Sequence, residues 1–361
     1  MAEEFKNQGG AATMDPSALY RWLTSKLMTR LWSSSALASR RRRAEKKRRS
    51  AGAPHRITYF HQVDDGYSHL AAQLLRPLLE RYDAQLDFQL VSAEPGQNLP
   101  EPDLLLRLSR YDAGKIAPHY GLLFPDAADP PSPEQIERAG RVIAAASPGE
   151  VPEVAVAAGN ALWSGDEAAL EALCQAHGSV EASELSARIA SGNALREREG
   201  HYSGAMFHYA GEWYWGADRI DHLEKRLIDL GARKPDAQDA PVCPRPEIEF
   251  GPLRDDGRLT FEIYPSLRSP YTSVIFDHAV RLARETGVRM VMRPVLPMVM
   301  RGVPATRQKG FYIFSDAARE ARALGLDWGK IYDPIGEPVR KVYSLYGWAS
   351  EQGKGTELLA A

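Results

Sequence analysis

From Arg56 onwards, hydrophobic residues recur first at every second position, as in a strand, and then at every third or fourth position, as in a helix. Arg56 to Phe60 has a strand pattern, Ser68 to Arg81 a helical pattern, and Ala84 to Val91 a strand pattern again. The helical face carries five leucines, namely Leu70, Leu74, Leu75, Leu78 and Leu79. Apolar residues three or four apart share one face of a helix, whereas strict alternation is typical of a half-buried strand. The pattern predicts a β-α-β unit, and hence a parallel strand pair in a mixed sheet.

Further helical patterns and a hairpin complete this part of the chain. Pro133 to Ala146 and Asp166 to His177 are predicted to be helices. Ala205 to Trp215 is predicted to be a hairpin that turns at Ala210-Gly211, and a helix is expected from Asp218 to Leu230. The order β-α-β, helices, β-β-α is that of a thioredoxin fold with a helical insertion.

A Pro-rich, aperiodic segment follows, and the β-α-β pattern then begins again. Arg258-Leu-Thr-Phe261 repeats the strand start Arg56-Ile-Thr-Tyr59. The chain is therefore expected to have four parts: a basic amphipathic arm over residues 1–52, a thioredoxin-like domain over 56–232, a linker over 233–257, and a second such domain over 258–361.

The two predicted domains share letters at equal spacing. The pattern Asp-Ala-x-Lys/Arg-x-Ala-x3-Gly-Leu occurs at Asp112 and again at Asp316. Tyr67 precedes the first occurrence by the same number of residues as Tyr271 precedes the second. We interpret this as an internal duplication whose second copy lacks the closing hairpin and the last helix. A sheet of two strands with a bare edge would result, so the second copy is expected to be truncated or to depend on packing against the first.

The N-terminal arm combines an apolar helix pattern with a basic tract. Asp15 suits an N-cap and Pro16 the first helical position, and leucines recur every four residues at Leu19, Leu23, Leu27 and Leu31. Eight of the ten residues from Arg40 to Arg49 are basic. Such a combination predicts contact of residues 15–49 with an anionic membrane surface. The alternatives are a solvated arm and a helix that docks onto its own protein.

Charge and cysteine content narrow the function classes. Residues 1–50 hold 12 Lys/Arg against 4 Asp/Glu, which leaves 33 against 43 for the rest of the chain. The acidic body has no broad basic face, so no nucleic acid is expected as a partner. Cys174 and Cys243 lie far apart and form no C-x-x-C motif, which excludes thioredoxin-type disulfide exchange. With no signal peptide pattern, we expect a cytoplasmic protein, peripheral to the inner face of the membrane if the arm binds there.

Two stretches resemble one known family. Phe261-Glu-Ile-x5-Ser269-Pro-Tyr-Thr272 is similar to the first strand and turn of 2-hydroxychromene-2-carboxylate isomerases and kappa-class glutathione transferases, within the DsbA-like thioredoxin-fold superfamily. Gly211-Glu-Trp-Tyr-Trp-Gly-Ala-Asp-Arg219, continuing to Glu224, resembles the closing motif of that family. The resemblance implies an α/β protein with two DsbA-like thioredoxin domains, each with a helical insertion, the second incomplete.

The resemblance also implies a function and a site. It indicates a glutathione-linked isomerase or transferase that acts on a small-molecule substrate, with a serine rather than a cysteine at the first helix start. That serine donates a hydrogen bond to the glutathione thiolate, where the helix N-terminus also favours an anion. The candidate catalytic residues are Ser269 and Tyr271, and the candidate glutathione-binding residues are Ser269, Pro270, Arg268 and Lys309. No metal is expected.

The first copy departs from the family pattern at both site positions. Asp65-Gly66-Tyr67 stands where the second copy has Ser-Pro-Tyr, and an aspartate there would repel a thiolate. Ala205 stands at the family's cis-proline, so its peptide bond is expected to be trans. Three alternatives stay open: Ser269 merely caps its helix, Asp65 acts as a general acid or base with His61 or His69, or the protein is a degenerate, non-catalytic scaffold that the arm recruits to a membrane or partner.

Overall fold

A computed structural model of the chain describes residues 15–93, 98, 101–125, 129–303 and 305–360. The chain divides into two compact units. The central unit is Arg41–Glu247, and the terminal unit combines the described residues up to Arg40 with those from Ile248 onwards. Two helices precede the first strand, α1 (Ala18–Leu31) and α2 (Ser34–Ser50), and the boundary between the units falls within α2.

The central unit contains a four-stranded mixed sheet. Its strands are β1 (His55–Gln62), β2 (Ala84–Val91), β3 (Met206–Tyr209) and β4 (Glu212–Trp215), in the order β2-β1-β3-β4. β1 is parallel to β2 and antiparallel to β3, and β4 is antiparallel to β3. This order and these directions are consistent with a thioredoxin-like fold, as the sequence pattern predicts.

Helices form the rest of the central unit. They are α3 (Gly66–Ala72), α4 (Leu75–Arg81), α5 (Pro102–Ile116), α6 (Pro133–Ala145), α7 (Val151–Ser164), α8 (Glu167–His177), α9 (Ala182–Glu199) and α10 (Ile220–Asp229). The single helix predicted over 68–81 is therefore wrong, because the structure has two. Pro77 explains the break: it has no N–H to donate to the Gln73 carbonyl, and its ring would collide with that carbonyl in a continuous helix.

The predicted hairpin is confirmed, and its turn has a simple cause. Ala210 and Gly211 both have positive φ, at 48° and 81°. Two central residues with positive φ form a type I′ turn, whose twist matches that of the flanking antiparallel strands. The turn brings Phe207 opposite Tyr214 in the pairing of β3 with β4, and both side chains are buried.

The terminal unit contains a smaller, two-stranded sheet. β5 (Thr260–Ile263) and β6 (Arg289–Met292) are parallel, and within the described residues the sheet has these two strands, as predicted. Its helices are α11 (Pro270–Thr286), α12 (Arg307–Ala323), α13 (Glu337–Glu351) and α14 (Gly355–Ala360). A small core of Met300, Ile335 and Val339 forms beside α13.

The packing of α9 on β2 depends on Gly192. This residue faces the backbone of Leu90, and a Cβ at Gly192 would lie far inside van der Waals distance of the Leu90 carbonyl oxygen. A backbone atom in a paired strand cannot move aside easily. Close approach of the helix to the strand therefore requires glycine at this position.

Gly192→Ala is expected to destabilise the central unit by about 1–3 kcal/mol, the usual cost of overpacking a core contact. Chemical denaturation followed by far-UV circular dichroism measures the change. Gly114→Ala is the matched control, because that helical glycine would make only an ordinary contact with Phe124. Equal stability of the two variants would contradict the assignment.

Candidate functional site

Ser269 caps the N-terminus of α11. Its Oγ accepts a hydrogen bond from the Thr272 N–H at 3.3 Å, and its own N–H donates to the Ser266 carbonyl at 2.9 Å. Pro270 occupies the first helical turn, where a missing N–H costs nothing. Among the described residues no acceptor is bonded to the Ser269 hydroxyl hydrogen. Ser269 is thus a cap, as one alternative predicted, and its hydroxyl can still donate.

Tyr271 fixes the start of α11 against α12. Its hydroxyl donates to Asp316 Oδ2 at 2.8 Å, and Asp316 is almost fully buried. The Arg319 guanidinium lies 3.6 Å from the other carboxylate oxygen of Asp316. With its hydroxyl bonded in this way, Tyr271 is placed to position the turn that carries Ser269.

Arg268 and Lys309, the two predicted binding cations, have different surroundings. Arg268 forms a two-pronged ion pair with Asp333, with both N–O distances 2.8 Å. Burial alone would raise the pKa of Asp333. The ion pair with Arg268, the hydrogen bond from the Ile335 N–H and the charge of Arg21 together outweigh burial and hold that pKa below its ordinary value. Lys309 lies half-buried in the first turn of α12, where loss of solvent lowers its pKa.

In the central unit Asp65 occupies the position that corresponds to Ser269 in the sequence alignment. Its carboxylate accepts from the N–H of Ser68 at 2.9 Å, from the N–H of Tyr67 at 3.4 Å and from the Ser68 hydroxyl at 2.8 Å. Burial raises the pKa of Asp65 to about 6, against the opposing effect of these hydrogen bonds. The start of α3 therefore already holds an anionic group of its own.

Ser68 forms side-chain or backbone hydrogen bonds with four residues of the central unit, a role that the sequence analysis missed. Its Oγ accepts from the N–H of Gln62 at 3.2 Å and from the N–H of Ala205 at 2.9 Å, while it donates to Asp65. Tyr59 donates its hydroxyl to the Ser68 carbonyl at 2.7 Å. One signal could have identified it, because Ser68 stands three residues after Asp65 as Thr272 stands after Ser269.

Ala205 lies immediately before β3 and faces this serine. No peptide bond in the described residues is cis, so the expected trans bond at Ala205 is confirmed. The residue has φ of 54°, an uncommon conformation for a residue other than glycine. Its N–H is free to donate to Ser68, which a proline at this position could not do.

The two histidines near Asp65 are buried and neutral. Burial lowers the pKa of His61 to about 3 and that of His69 to about 4. His61 Nδ1 lies 3.3 Å from the Tyr59 hydroxyl, and the Asp65 carboxylate accepts its hydrogen bonds from Tyr67 and Ser68 instead. Within the described residues no three His, Cys, Asp or Glu side chains are grouped as metal ligands.

Glu212 of the closing motif lies between two arginines. Arg41 pairs with both of its carboxylate oxygens at 2.8 Å, and Arg226 lies 2.8 Å from Oε1. Arg226 also donates to the Tyr209 carbonyl at 3.1 Å. Arg41 belongs to the basic tract, so one member of that tract is held within the central unit.

Comparison with known proteins finds similarity among solved structures. No protein-family model matches the chain, and no curated protein matches it. A solved structure of 2-hydroxychromene-2-carboxylate isomerase aligns with 49% of this chain and 96% of its own, at 16% identity and a TM-score of 0.38. The fold assignment accordingly rests on the strand order and directions of the central sheet.

Asp65 is expected to make stability depend on pH. The folded pKa of about 6 exceeds the ordinary value of 3.8, so the folded state binds the proton more tightly. The resulting stabilisation is complete below pH 3.8 and is lost as the pH rises through about 6. Asp65→Asn keeps an acceptor for the Ser68 N–H but cannot titrate.

Unfolding free energies of wild type and Asp65→Asn, measured from pH 4 to 7.5, test this expectation. The difference, wild type minus variant, should fall by about 1–3 kcal/mol over that range. Other titrating groups contribute equally to both proteins and cancel. A difference that is flat or rises with pH would show that the Asp65 carboxylate is not desolvated.

Proposed function

We propose that the protein is a glutathione-linked isomerase or transferase whose thiolate site lies at Ser269 in the terminal unit. The observation that carries the proposal is the hydrogen bonding of Ser269, whose Oγ accepts from Thr272 while its hydroxyl hydrogen has no acceptor among the described residues. A helix of 17 residues follows it. Its N-terminal N–H groups and dipole favour an anion, and the hydroxyl can add one hydrogen bond.

The corresponding turn in the central unit is not available for the same task. The Asp65 carboxylate already accepts the N–H groups at the start of α3, and the Ser68 hydroxyl donates to it. A second anion there would be repelled by the first. The proposal therefore assigns thiolate binding to Ser269 alone.

Matched tyrosine contacts support the inference that the two units are copies. Tyr67 donates to Asp112 at 2.7 Å and Tyr271 donates to Asp316 at 2.8 Å, and the partners are 45 residues apart in both cases. Both tyrosines follow the first strand of their unit and lie on the helix after it. Equal spacing and equal chemistry at equal places favour descent from one repeated segment.

The turn before each helix gives a second matched contact. Ser68 Oγ accepts from the Gln62 N–H at 3.2 Å, and Thr272 Oγ1 accepts from the Ser266 N–H at 3.3 Å. The hydroxyl and the N–H are six residues apart in both units. These contacts support the correspondence of Asp65 with Ser269, on which the proposal depends.

The other candidate residues receive narrower roles. Bound glutathione would supply a thiol for attack on an electrophile or for reversible addition to an unsaturated ring compound. Lys309, half-buried in the first turn of α12, would contact a carboxylate of glutathione. Arg268 holds Asp333, and Pro270 and Tyr271 hold the helix start, so these three position Ser269.

Calorimetric titration of glutathione into the full chain tests the proposal. Wild type should bind, and Ser269→Ala should bind roughly tenfold to a hundredfold more weakly, since a hydrogen bond to a charged group contributes about 1.5–3 kcal/mol. Ser273→Ala, an exposed position on the same helix, is the control and should bind as wild type does. Thiol-dependent turnover of a hydroxychromene or a chlorinated aromatic completes the test. Absence of glutathione binding by wild type would reject the enzymatic function.

Tyr271→Phe and Tyr67→Phe form a matched pair of variants. Each removes a hydroxyl that donates to an aspartate. Loss of the Tyr271 bond loosens the turn that carries Ser269, so glutathione affinity should fall about threefold to tenfold. Tyr67→Phe should leave the affinity unchanged. Equal effects of the two substitutions on glutathione binding would argue against a positioning role for Tyr271.

A further inference from the structure

Helix α1 is fixed to the terminal unit by one of its faces. Arg21 is buried and donates to the Asp333 carbonyl at 2.7 Å and to the Ile335 carbonyl at 2.6 Å. At the other end Trp32 is buried, with its ring centroid 5.3 Å from that of Phe311. Two contacts almost three turns apart hold the whole helix in place. The docked face is thus the one that carries Arg21 and Trp32.

The opposite face of α1 is apolar and exposed. Its large hydrophobic side chains are between 53% and 67% exposed, and they are Leu19, Tyr20, Trp22, Leu23 and Leu27. Three of the four leucines of the predicted apolar stripe therefore point to solvent. Contiguous exposed apolar side chains of this kind indicate an interaction surface.

Basic and aromatic residues border this face. The α1 sequence contains no Asp or Glu, and Lys26 and Arg30 have no acidic partner among the described residues. The Lys26 ammonium lies 5.8 Å from the centroid of the Trp22 ring. The segment around Ile331 contacts α1, because the Ile331 N–H donates to Thr29 Oγ1 at 3.0 Å. The next residue, Tyr332, is exposed.

We propose that this outward face of α1 binds the surface of an anionic phospholipid bilayer. The leucines and Trp22 would enter the boundary between headgroups and acyl chains, and Lys26 and Arg30 would lie at the lipid phosphates. The α1 sequence contributes two exposed cations and no acidic side chain beside the leucines, which complements the negative charge of such a surface. No helix in the described part of the chain is long and apolar enough to cross a membrane.

The sequence pattern predicted membrane contact for residues 15–49 as a whole. Contacts within the protein exclude some of these residues from the proposed lipid-binding face. Arg21 and Trp32 are buried in the terminal unit, and Arg41 is paired with Glu212 in the central unit. These residues are therefore outside the proposed lipid contact. The proposal is independent of the glutathione site, since it rests on exposure and charge at α1.

Co-sedimentation of the full chain with vesicles tests the proposal. The vesicles are phosphatidylcholine alone or phosphatidylcholine with a third phosphatidylserine. Wild type should bind the anionic vesicles, and Leu23→Ser with Leu27→Ser should lower the partition coefficient at least tenfold. The matched control is Leu104→Ser with Leu108→Ser, since these leucines on α5 are exposed to a similar extent.

A charge variant separates electrostatic from apolar binding. Lys26→Gln with Arg30→Gln should weaken binding to anionic vesicles roughly tenfold or more, given about 1 kcal/mol per basic residue near the surface. Binding of wild type to anionic vesicles should also shift its tryptophan emission to shorter wavelength. Trp22→Phe, which keeps the apolar face, should retain binding and lose most of that shift.

Several results would overturn the proposal. They are failure of wild type to bind anionic vesicles, binding of the α1 leucine variant as tight as that of wild type, and an equal loss in the α5 control. Sedimentation velocity without lipid tests whether a second copy of the chain binds this face instead. If wild type is a dimer that the α1 leucine variant dissociates, and vesicles are not bound, the face is an interface between two copies of the chain.

Discussion

The backbone N–H groups at the start of the helix after the first strand must find acceptors, and the two units satisfy them in different ways. In the central unit the Asp65 carboxylate accepts from Ser68 and Tyr67. In the terminal unit the Ser269 hydroxyl accepts from Thr272. A carboxylate fills the positive end of the helix with charge, whereas a hydroxyl leaves the helix dipole uncompensated. The chemistry available to each unit follows from this one difference.

The surroundings of each cap agree with that distinction. Around Asp65 the structure provides the Ser68 hydroxyl, and Ser68 in turn fixes Ala205 and Gln62. Hydrogen bonds link Ser68 to Asp65, Ala205 and Gln62, so the cluster is a structural junction. Around Ser269 the contacts instead fix the chain on either side, through Arg268 to Asp333 and through Tyr271 to Asp316. The Ser269 hydroxyl hydrogen has no acceptor among the described residues.

Local signals in the sequence predicted the elements, and long-range contacts decided what they do. The strand pattern from Arg56 and the turn at Ala210-Gly211 could be predicted because each depends on neighbouring residues. The two-stranded second sheet could be predicted from the repeat of the β-α-β pattern. The break at Pro77 could also have been found, since proline lacks the N–H that a continuous helix requires. The hydrogen bond from Ala205 to Ser68 could not have been found, because the two residues are 137 positions apart, although the spacing of Ser68 from Asp65 was visible in the sequence.

Helix α1 shows most directly why pattern alone was insufficient. Leucines every four residues predicted that the apolar stripe is the face that binds something, and nothing local suggested that a charged residue would be the buried one. Arg21 is buried against carbonyl oxygens more than 300 residues away and against the nearby Asp15 carboxylate, 2.6 Å from its guanidinium. These acceptors offset the cost of removing its charge from water. Because polar contacts hold the helix to the protein, its apolar stripe stays exposed and can contact another surface. An amphipathic helix can in this way be fixed to its own protein and still present leucines to a partner.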